Sequence, residues 1–310
     1  MKYLKFIGIL FLLQFIFISK SLSLENKIIL KINNEIITSI DIEKEYRYLL
    51  ALNNGLKNLN QNEIFEISKK SIIKEKIKVI EIYKSFKNPS IPDEFLEQIL
   101  RNVYQRLGIQ NLNDFKKYLK DNNVEYKDVK NKIEIESLWN ELILTKFSSK
   151  IQVNEDEVRK NIVNNQKKNS KSYLMSEIFF EISNSDQLDK TYKSIVKTIK
   201  DKGFENAAAS HSSSSTANQG GKLGWIDQDS LNNNLKKILS KLKVNEITQP
   251  LTVPGGFMIL KINEIKEVKK NQNIDKEVKR IINLKKNDQL NQFSKMHFNK
   301  IKKNININEI

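Results

Sequence analysis

Side chains that usually form covalent intermediates or bind metals are scarce in this sequence. Its 310 residues include no cysteine and two histidines, His211 and His297. The lack of cysteine excludes disulfides, thiol catalysis, cysteine-based metal sites and lipid attachment at an N-terminal cysteine. Because the two histidines lie far apart in the sequence, a histidine-rich metal site is not available either. We therefore expect neither a metal nor a cofactor.

Two motifs in the C-terminal half carry the most specific signal. The first runs from Phe204 to Ile226 and joins an alanine-rich turn, a serine-rich loop and the sequence Gly-Gly-Lys-Leu-Gly-Trp. The second runs from Val244 to Leu260 and places a polar turn, a proline and two glycines before an apolar strand. In this order and at this separation the two motifs resemble the parvulin family, and the resemblance covers residues 172–268.

The resemblance to parvulins implies peptidyl-prolyl isomerase chemistry. Rotation about the bond before proline has a barrier of about 18–20 kcal/mol, and catalysis consists of binding the twisted amide better than the planar one. The family uses an apolar proline pocket and a polar cluster of two histidines and an Asp or Cys. Here the histidine positions hold Glu177 and Met258, and the Asp/Cys position falls near Ser214. We expect weak or lost isomerase activity; an active isomerase acting on exported proteins is the alternative.

The apolar pocket of the family is better preserved than its polar cluster. Leu231 and Leu235 stand where the family places pocket residues, and Phe257 and Met258 could add further walls. These four are the predicted peptide-binding residues, and an ordinary core position is the alternative for each. His211 is off both family positions, so we expect an exposed loop histidine without a catalytic role.

The elements that must position these residues form a compact α+β unit. Hydrophobic periodicity and turn residues predict a strand and a helix, then the serine-rich loop and a Gly-Gly turn. A second helix over Leu231–Leu242 and a closing strand complete the unit.

Helices are predicted on both sides of this unit. Residues 39–166 form a helical block, preceded by a strand pair at residues 27–37 and opened by a capping box at Thr38 and Asp41. A last helix is predicted over residues 275–303, and a segment of period two follows it. Because a lone strand is not stable by itself, we expect this segment to join the N-terminal strand pair.

These flanks are similar to the core of SurA-type chaperones in the stretches Ile32–Asp41, Ile91–Phe95 and Asn113–Leu119. The predicted fold class is therefore α+β: a helical SurA-type core domain with an inserted parvulin-like α+β domain, and a C-terminal helix and strand that return to the core. The predicted domains are a signal peptide (1–23), the N-terminal part of the core (24–166), the parvulin-like domain (167–268) and the completing helix and strand (269–310).

The N-terminus and the charge bear on location. Lysines precede the apolar run Phe6–Ile18, and small serines follow it, as in a signal peptide cleaved after Ser23; an uncleaved anchor is the alternative. The 53 Lys and Arg against 37 Asp and Glu give a net charge of +16. Because lysine dominates this excess, solvated faces are the favoured interpretation, and a basic nucleic-acid-binding or membrane-anchored protein is the alternative.

The resemblance to SurA-type proteins implies a periplasmic holdase chaperone. Its partners would be unfolded outer-membrane proteins or other exported polypeptides, with the barrel-assembly machinery as a further candidate. Binding would use apolar grooves between the helical core and the parvulin-like unit. We expect no nucleic-acid partner and no stable membrane span.

Overall fold

A computed structural model describes residues 26–164, 170–182, 184–214, 216–268 and 273–310. The predicted signal peptide, with its cleavage site after Ser23, lies outside these ranges. The predicted junctions at 166/167 and 268/269 lie within or beside the gaps, so those boundaries stay predictions. None of the helices in the described ranges combines the length and the apolar character that a membrane span requires.

Helices dominate the described residues, and two small sheets accompany them. The helices are α1 (Ser39–Leu52), α2 (Gln61–Ser85), α3 (Asp93–Arg106), α4 (Leu112–Asp121), α5 (Tyr126–Phe147), α6 (Glu155–Asn164), α7 (Leu188–Lys202), α8 (Phe204–His211), α9 (Asn233–Leu239) and α10 (Ile274–Lys302). The strands are β1 (Ile28–Ile32), β2 (Glu35–Thr38), β3 (Ser170–Phe180), β4 (Lys222–Asp227), β5 (Leu251–Val253), β6 (Gly256–Val268) and β7 (Ile307–Glu309). We call residues 170–268 the insert, and the other described residues the helical core.

Local side chains set where the long helices of the core begin. The Thr38 hydroxyl accepts a hydrogen bond from the backbone N–H of Asp41, and the Asp41 carboxylate accepts one from the backbone N–H of Thr38 at 2.8 Å. Asn60 and Glu63 form the same reciprocal arrangement at the start of α2. Each pair satisfies backbone donors that a helix N-terminus leaves free. The predicted capping box at Thr38 is confirmed.

The C-terminal segment returns to the N-terminal strands, as predicted. Strand β7 pairs antiparallel with β1, which gives a sheet of order β2-β1-β7 with Ile32 opposite Ile307. Helix α10 packs against α5. The ring centroids of Phe298 and Trp139 lie 6.2 Å apart there, and the Phe293 ring of α10 stacks on the Phe147 ring of α5. Residues 26–164 and 273–310 therefore belong to one core, and the insert interrupts it.

The insert is an antiparallel sheet of order β4-β3-β6-β5, with helices α7 and α8 on one face. Ile178 and Ile259 from the sheet pack there against Ile195, Phe204 and Ala208 from the helices. The predicted fold class, an α+β insert in a helical core with a returning C-terminal helix and strand, is confirmed.

The structure corrects two details of the insert. The alanine-rich stretch after Phe204 was expected to be a turn and forms helix α8, consistent with the high helix propensity of alanine. The helix predicted over Leu231–Leu242 is shorter. The Asn232 side chain accepts a hydrogen bond from the backbone N–H of Leu235 at 2.8 Å and caps α9, so Leu231 lies before the helix.

The end of α8 and the loop after it dock the insert onto the helical core. The backbone carbonyl of Asn218 accepts a hydrogen bond from the Asn53 side-chain amide at 2.8 Å. The side-chain amide of Asn218 donates one to the Ser71 hydroxyl, also at 2.8 Å. Lys70 donates to the Ser210 carbonyl at 3.2 Å. These contacts join α1 and α2 to the insert and fix the face that the insert turns toward the core.

Candidate functional site: a cavity between the helical core and the insert

The alternation of side chains along β3 and β6 divides the site residues between the two faces of the insert sheet. Glu177 lies opposite Leu260, and Ile178 lies opposite Ile259 in the register of the two strands. Because successive side chains point to opposite faces, the Glu177 face turns toward the helical core while the Ile178 face packs on α7 and α8.

A cavity of about 1390 Å³ separates this sheet face from the helical core. It exceeds the about 300–1,000 Å³ of ordinary small-molecule sites. The insert contributes mainly apolar side chains, among them Met175, Leu223, Trp225, Leu231, Leu235, Met258 and Leu260. The core contributes Trp139 and Phe298 together with polar and charged groups. The size and mixed lining suit a polypeptide segment that carries apolar side chains.

A polar cluster centred on Glu177 lies in the wall of the cavity. Two hydroxyls of the neighbouring loop, those of Ser214 and Thr216, donate to Glu177 Oε1, the second at 3.0 Å. Lys295 of α10 donates to Glu177 Oε2 at 3.0 Å. Glu177 is 3% exposed and Ser214 is 1% exposed. Such a buried carboxylate requires a charged partner and hydrogen bonds, and this cluster supplies both.

Gly221 holds the strand that carries Glu177 in place. Its carbonyl accepts a hydrogen bond from the backbone N–H of Glu177 at 2.8 Å. Gly221 has a φ of +74°, and a Cβ atom there would lie 2.1 Å from the Glu177 carbonyl oxygen. Only glycine combines this backbone conformation with so close an approach. The expected role of Gly221 as a turn and packing residue is consistent with this geometry.

Two lysines of the helical core reach the loop and strand that form the cluster. Lys295 lies on α10, and Lys74 of α2 donates to the Ser214 carbonyl at 2.9 Å. Burial lowers the pKa of Lys74 to about 8, and the positive charges of Lys78 and Lys302 act in the same direction. The polar part of the site therefore belongs to both units of the chain.

The predicted peptide-binding residues fall on two different faces of the sheet. Leu231, Leu235 and Met258 line the cavity and pack around one apolar cluster. Phe257 lies on the other face, where its ring stacks on Phe180 at 5.9 Å. Adjacent residues of a strand cannot share a face, so the structure does not bring Phe257 to the cavity.

Neither histidine lines this cavity. His211 is the last residue of α8 and is partly buried, with Nε2 at 2.9 Å from Thr198 Oγ1, so the expectation of an exposed loop histidine is wrong. Burial, followed by the charge of Lys70, lowers the pKa of His211. His297 stacks on Trp139 at 5.7 Å in the helical core. Neither imidazole contacts Glu177, and the site therefore offers binding groups without a histidine base.

No local signal in the sequence indicates which residues of the core line the cavity. Lys74, Trp139, Lys295 and Phe298 are distant in sequence from the insert motifs and reach the cavity only through folding. Among the described residues, no group of three or more His, Cys, Asp or Glu side chains could hold a metal ion.

Comparison with family models identifies the class of the insert. Residues 178–264 match the model of the PPIC-type PPIASE rotamase domain. The resemblance to parvulins is thereby confirmed, and this segment is a domain of the PpiC type.

The wider chain is similar to chaperones named SurA. The chain is 30% identical over 183 residues to Chaperone SurA of Pseudomonas putida, a match that covers 56% of this chain and 43% of the relative. It is 27% identical over 183 residues to Chaperone SurA of Pseudomonas aeruginosa, covering 56% and 44%. The matched region therefore spans less than half the length of these curated relatives. The SurA resemblance found in the sequence is confirmed.

A solved structure from Campylobacter jejuni aligns with more of the chain. It is one of two structurally related SurA-like chaperones, the virulence factor PEB4 and the periplasmic protein Cj1289. The alignment covers 92% of this chain and 99% of that chain at 18% identity, with a TM-score of 0.35.

Proposed function

We propose that this protein is a holdase chaperone that binds extended segments of unfolded polypeptides in the cavity between the insert and the helical core. The observation that carries the proposal is the cavity itself, with apolar walls from both units and a volume of about 1390 Å³. Burial of apolar client side chains would drive binding. The ordering of an extended chain opposes it, so the affinity is expected to be modest.

The proposed clients are unfolded outer-membrane proteins or other exported polypeptides in the periplasm. Two features support this part of the proposal: the apolar N-terminal run that resembles a signal peptide, and the similarity to proteins named SurA. Delivery to the barrel-assembly machinery belongs to the same proposal.

The insert is proposed to have weak or lost isomerase activity. Catalysis of prolyl rotation requires groups that bind the twisted amide better than the planar one. At the two family histidine positions this chain has Glu177 and Met258, and the Glu177 carboxylate is already bound by two hydroxyls and by Lys295. The match to the PPIC-type domain favours the alternative, an active prolyl isomerase for exported proteins.

The test of the chaperone proposal measures suppression of aggregation of an unfolded outer-membrane barrel protein by residues 24–310. The double variant Leu231→Ala, Leu235→Ala removes apolar surface from the cavity wall. Leu144→Ala is the matched control, because this leucine is 43% exposed and lies away from the cavity. We expect weaker suppression by the double variant and unchanged suppression by the control. Equal suppression by all three proteins would exclude the cavity as the client site.

The isomerase alternative is measured on the same preparation. A short proline peptide that relaxes in about tens to hundreds of seconds, as it does uncatalysed, supports a holdase with a repurposed parvulin-like insert. Rates like those of an active parvulin would establish the alternative and would assign catalysis to another polar set.

A further inference from the structure

Among the described residues, eight charged side chains line the cavity, and four of them form two ion pairs. Glu177 is paired with Lys295 at 3.0 Å, and Glu136 is paired with Lys78 at 2.6 Å. These pairs leave little net charge on their part of the wall. Lys74 of α2 also lines the cavity and lies outside both pairs; the other lining charges outside them are Glu157, Lys285 and Asp288.

The Lys74 ammonium has no carboxylate within ion-pair distance among the residues that the structure describes. Its hydrogen-bond partner is the Ser214 carbonyl at 2.9 Å. An ammonium has three N–H donors, so two remain for a ligand in the cavity. The positive charges of Lys78 and Lys302 face it, and the negative charges of Glu136 and Glu181 oppose them.

The lowered pKa of Lys74 shows that its surroundings disfavour the charged ammonium when it has no anionic partner. Burial is the main cause that lowers its pKa to about 8, so most of it still carries a charge at neutral pH. A ligand that brings a negative charge would relieve this cost. Ion-paired hydrogen bonds between an ammonium and a carboxylate are among the strong ones in proteins.

We infer that the cavity binds a carboxylate of the client polypeptide at Lys74, next to an apolar client side chain held by Leu231, Leu235 and Met258. This inference rests on the proposed function and adds a selectivity to it. The site would favour segments in which an apolar residue is accompanied by a carboxylate. That carboxylate is either an acidic side chain or the free C-terminus of the chain, and the experiment below separates the two sources.

The experiment uses three unlabelled peptides of one apolar, aromatic-rich sequence and measures their Kd by titration calorimetry against residues 24–310. The first peptide has a free C-terminal carboxylate and no charged side chain. The second is its C-terminal amide, and the third is an amide with one internal glutamate. We expect at least one of the acidic peptides to bind about tenfold more tightly than the neutral amide, which is about 1.4 kcal/mol. The tighter of the two identifies the source of the carboxylate.

Variants of Lys74 test whether this residue causes the tighter binding of the acidic peptides. Lys74→Met should remove it, and Lys74→Arg should retain it because the positive charge remains. Lys70→Met is the matched control: Lys70 lies one helical turn earlier and also donates to a carbonyl of the insert, that of Ser210 in α8, but it does not line the cavity. The control should bind all three peptides like the unchanged protein.

The outcomes separate this inference from the proposed function. Equal Kd values for the acidic and neutral peptides would overturn the carboxylate site and leave peptide binding in the cavity intact. A preference that survives in Lys74→Met would also overturn it. Binding of none of the peptides would refute the inference and the proposed function together.

Discussion

The contact between Glu177 and Lys295 should contribute measurable stability by holding the insert against the helical core. Lys295→Met leaves the Glu177 carboxylate, which is 3% exposed, with its two hydroxyl donors and without a charged partner. The loss of a hydrogen bond to a charged group is worth about 1.5–3 kcal/mol. Lys295 keeps 20% of its side chain exposed, so the lower half of that range, about 1.5–2 kcal/mol, is expected for the free energy of unfolding.

Removal of the charge of Glu177 should lower the free energy of unfolding by less than removal of the Lys295 charge. In Glu177→Gln the amide oxygen can still accept from Ser214 and Thr216, and the partly exposed Lys295 ammonium can be hydrated. We expect a loss of about 1 kcal/mol or less in the free energy of unfolding. In the double variant no charge remains unpaired, so its loss should be smaller than the sum of the two single losses by about 1 kcal/mol.

Equilibrium urea unfolding of the four proteins, followed by circular dichroism, measures this cycle. Lys286→Met is the control for loss of a lysine from α10, because Lys286 is exposed on the same helix. It should change the free energy of unfolding by no more than about 0.5 kcal/mol. If the two single losses are additive within about 0.5 kcal/mol, the pair does not couple the two units and the reasoning is refuted.

Three further outcomes follow from the structure. Phe115→Ala should lower the free energy of unfolding in urea by about 3–5 kcal/mol, because Phe115 is fully buried, while the Kd for peptides stays unchanged since Phe115 lies away from the cavity. Binding of an apolar peptide should change the tryptophan emission, because Trp225 lines the cavity and is 39% exposed. The change should be smaller in Trp225→Phe, in which the buried Trp139 is the remaining tryptophan. The free energy of unfolding should fall as pH drops from 7 to 5. Burial lowers the pKa of His211 in the folded state, so the unfolded chain binds a proton first as the pH falls. The stability that is present above the unfolded-state pKa is therefore lost as the pH falls through the folded-state pKa. His211→Gln should make this dependence shallower, and an unchanged slope in urea titrations would contradict it.

Most of the fold could be predicted from the sequence because its signals are local. The Thr38–Asp41 capping box and the long periodic helices depend on residues a few positions apart. The return of the terminal strand also followed from a local pattern, together with the rule that a lone strand needs an edge. The errors in the insert have local causes as well. Asn232 caps α9, so the helix begins at Asn233, two residues after the predicted start at Leu231.

The residues of the candidate site also divide into those that local sequence signals predict and those that such signals miss. Glu177, Met258, Leu231 and Leu235 were found because motifs place them, and the placement of Phe257 was missed although the period of two in a strand separates it from Met258.

The sequence by itself determined the class of the insert and the helical character of the flanks, and it predicts that Glu177 and Met258 replace the histidines of the family. Only the tertiary structure decided that Lys295 pairs with Glu177, that Lys74 lines the cavity and donates to the Ser214 carbonyl, and that Trp139 and Phe298 form its far wall. The physical reason is distance along the chain. Each of these contacts joins residues from separate segments, and such pairs are specified by the packing of whole helices rather than by any motif or period within one segment.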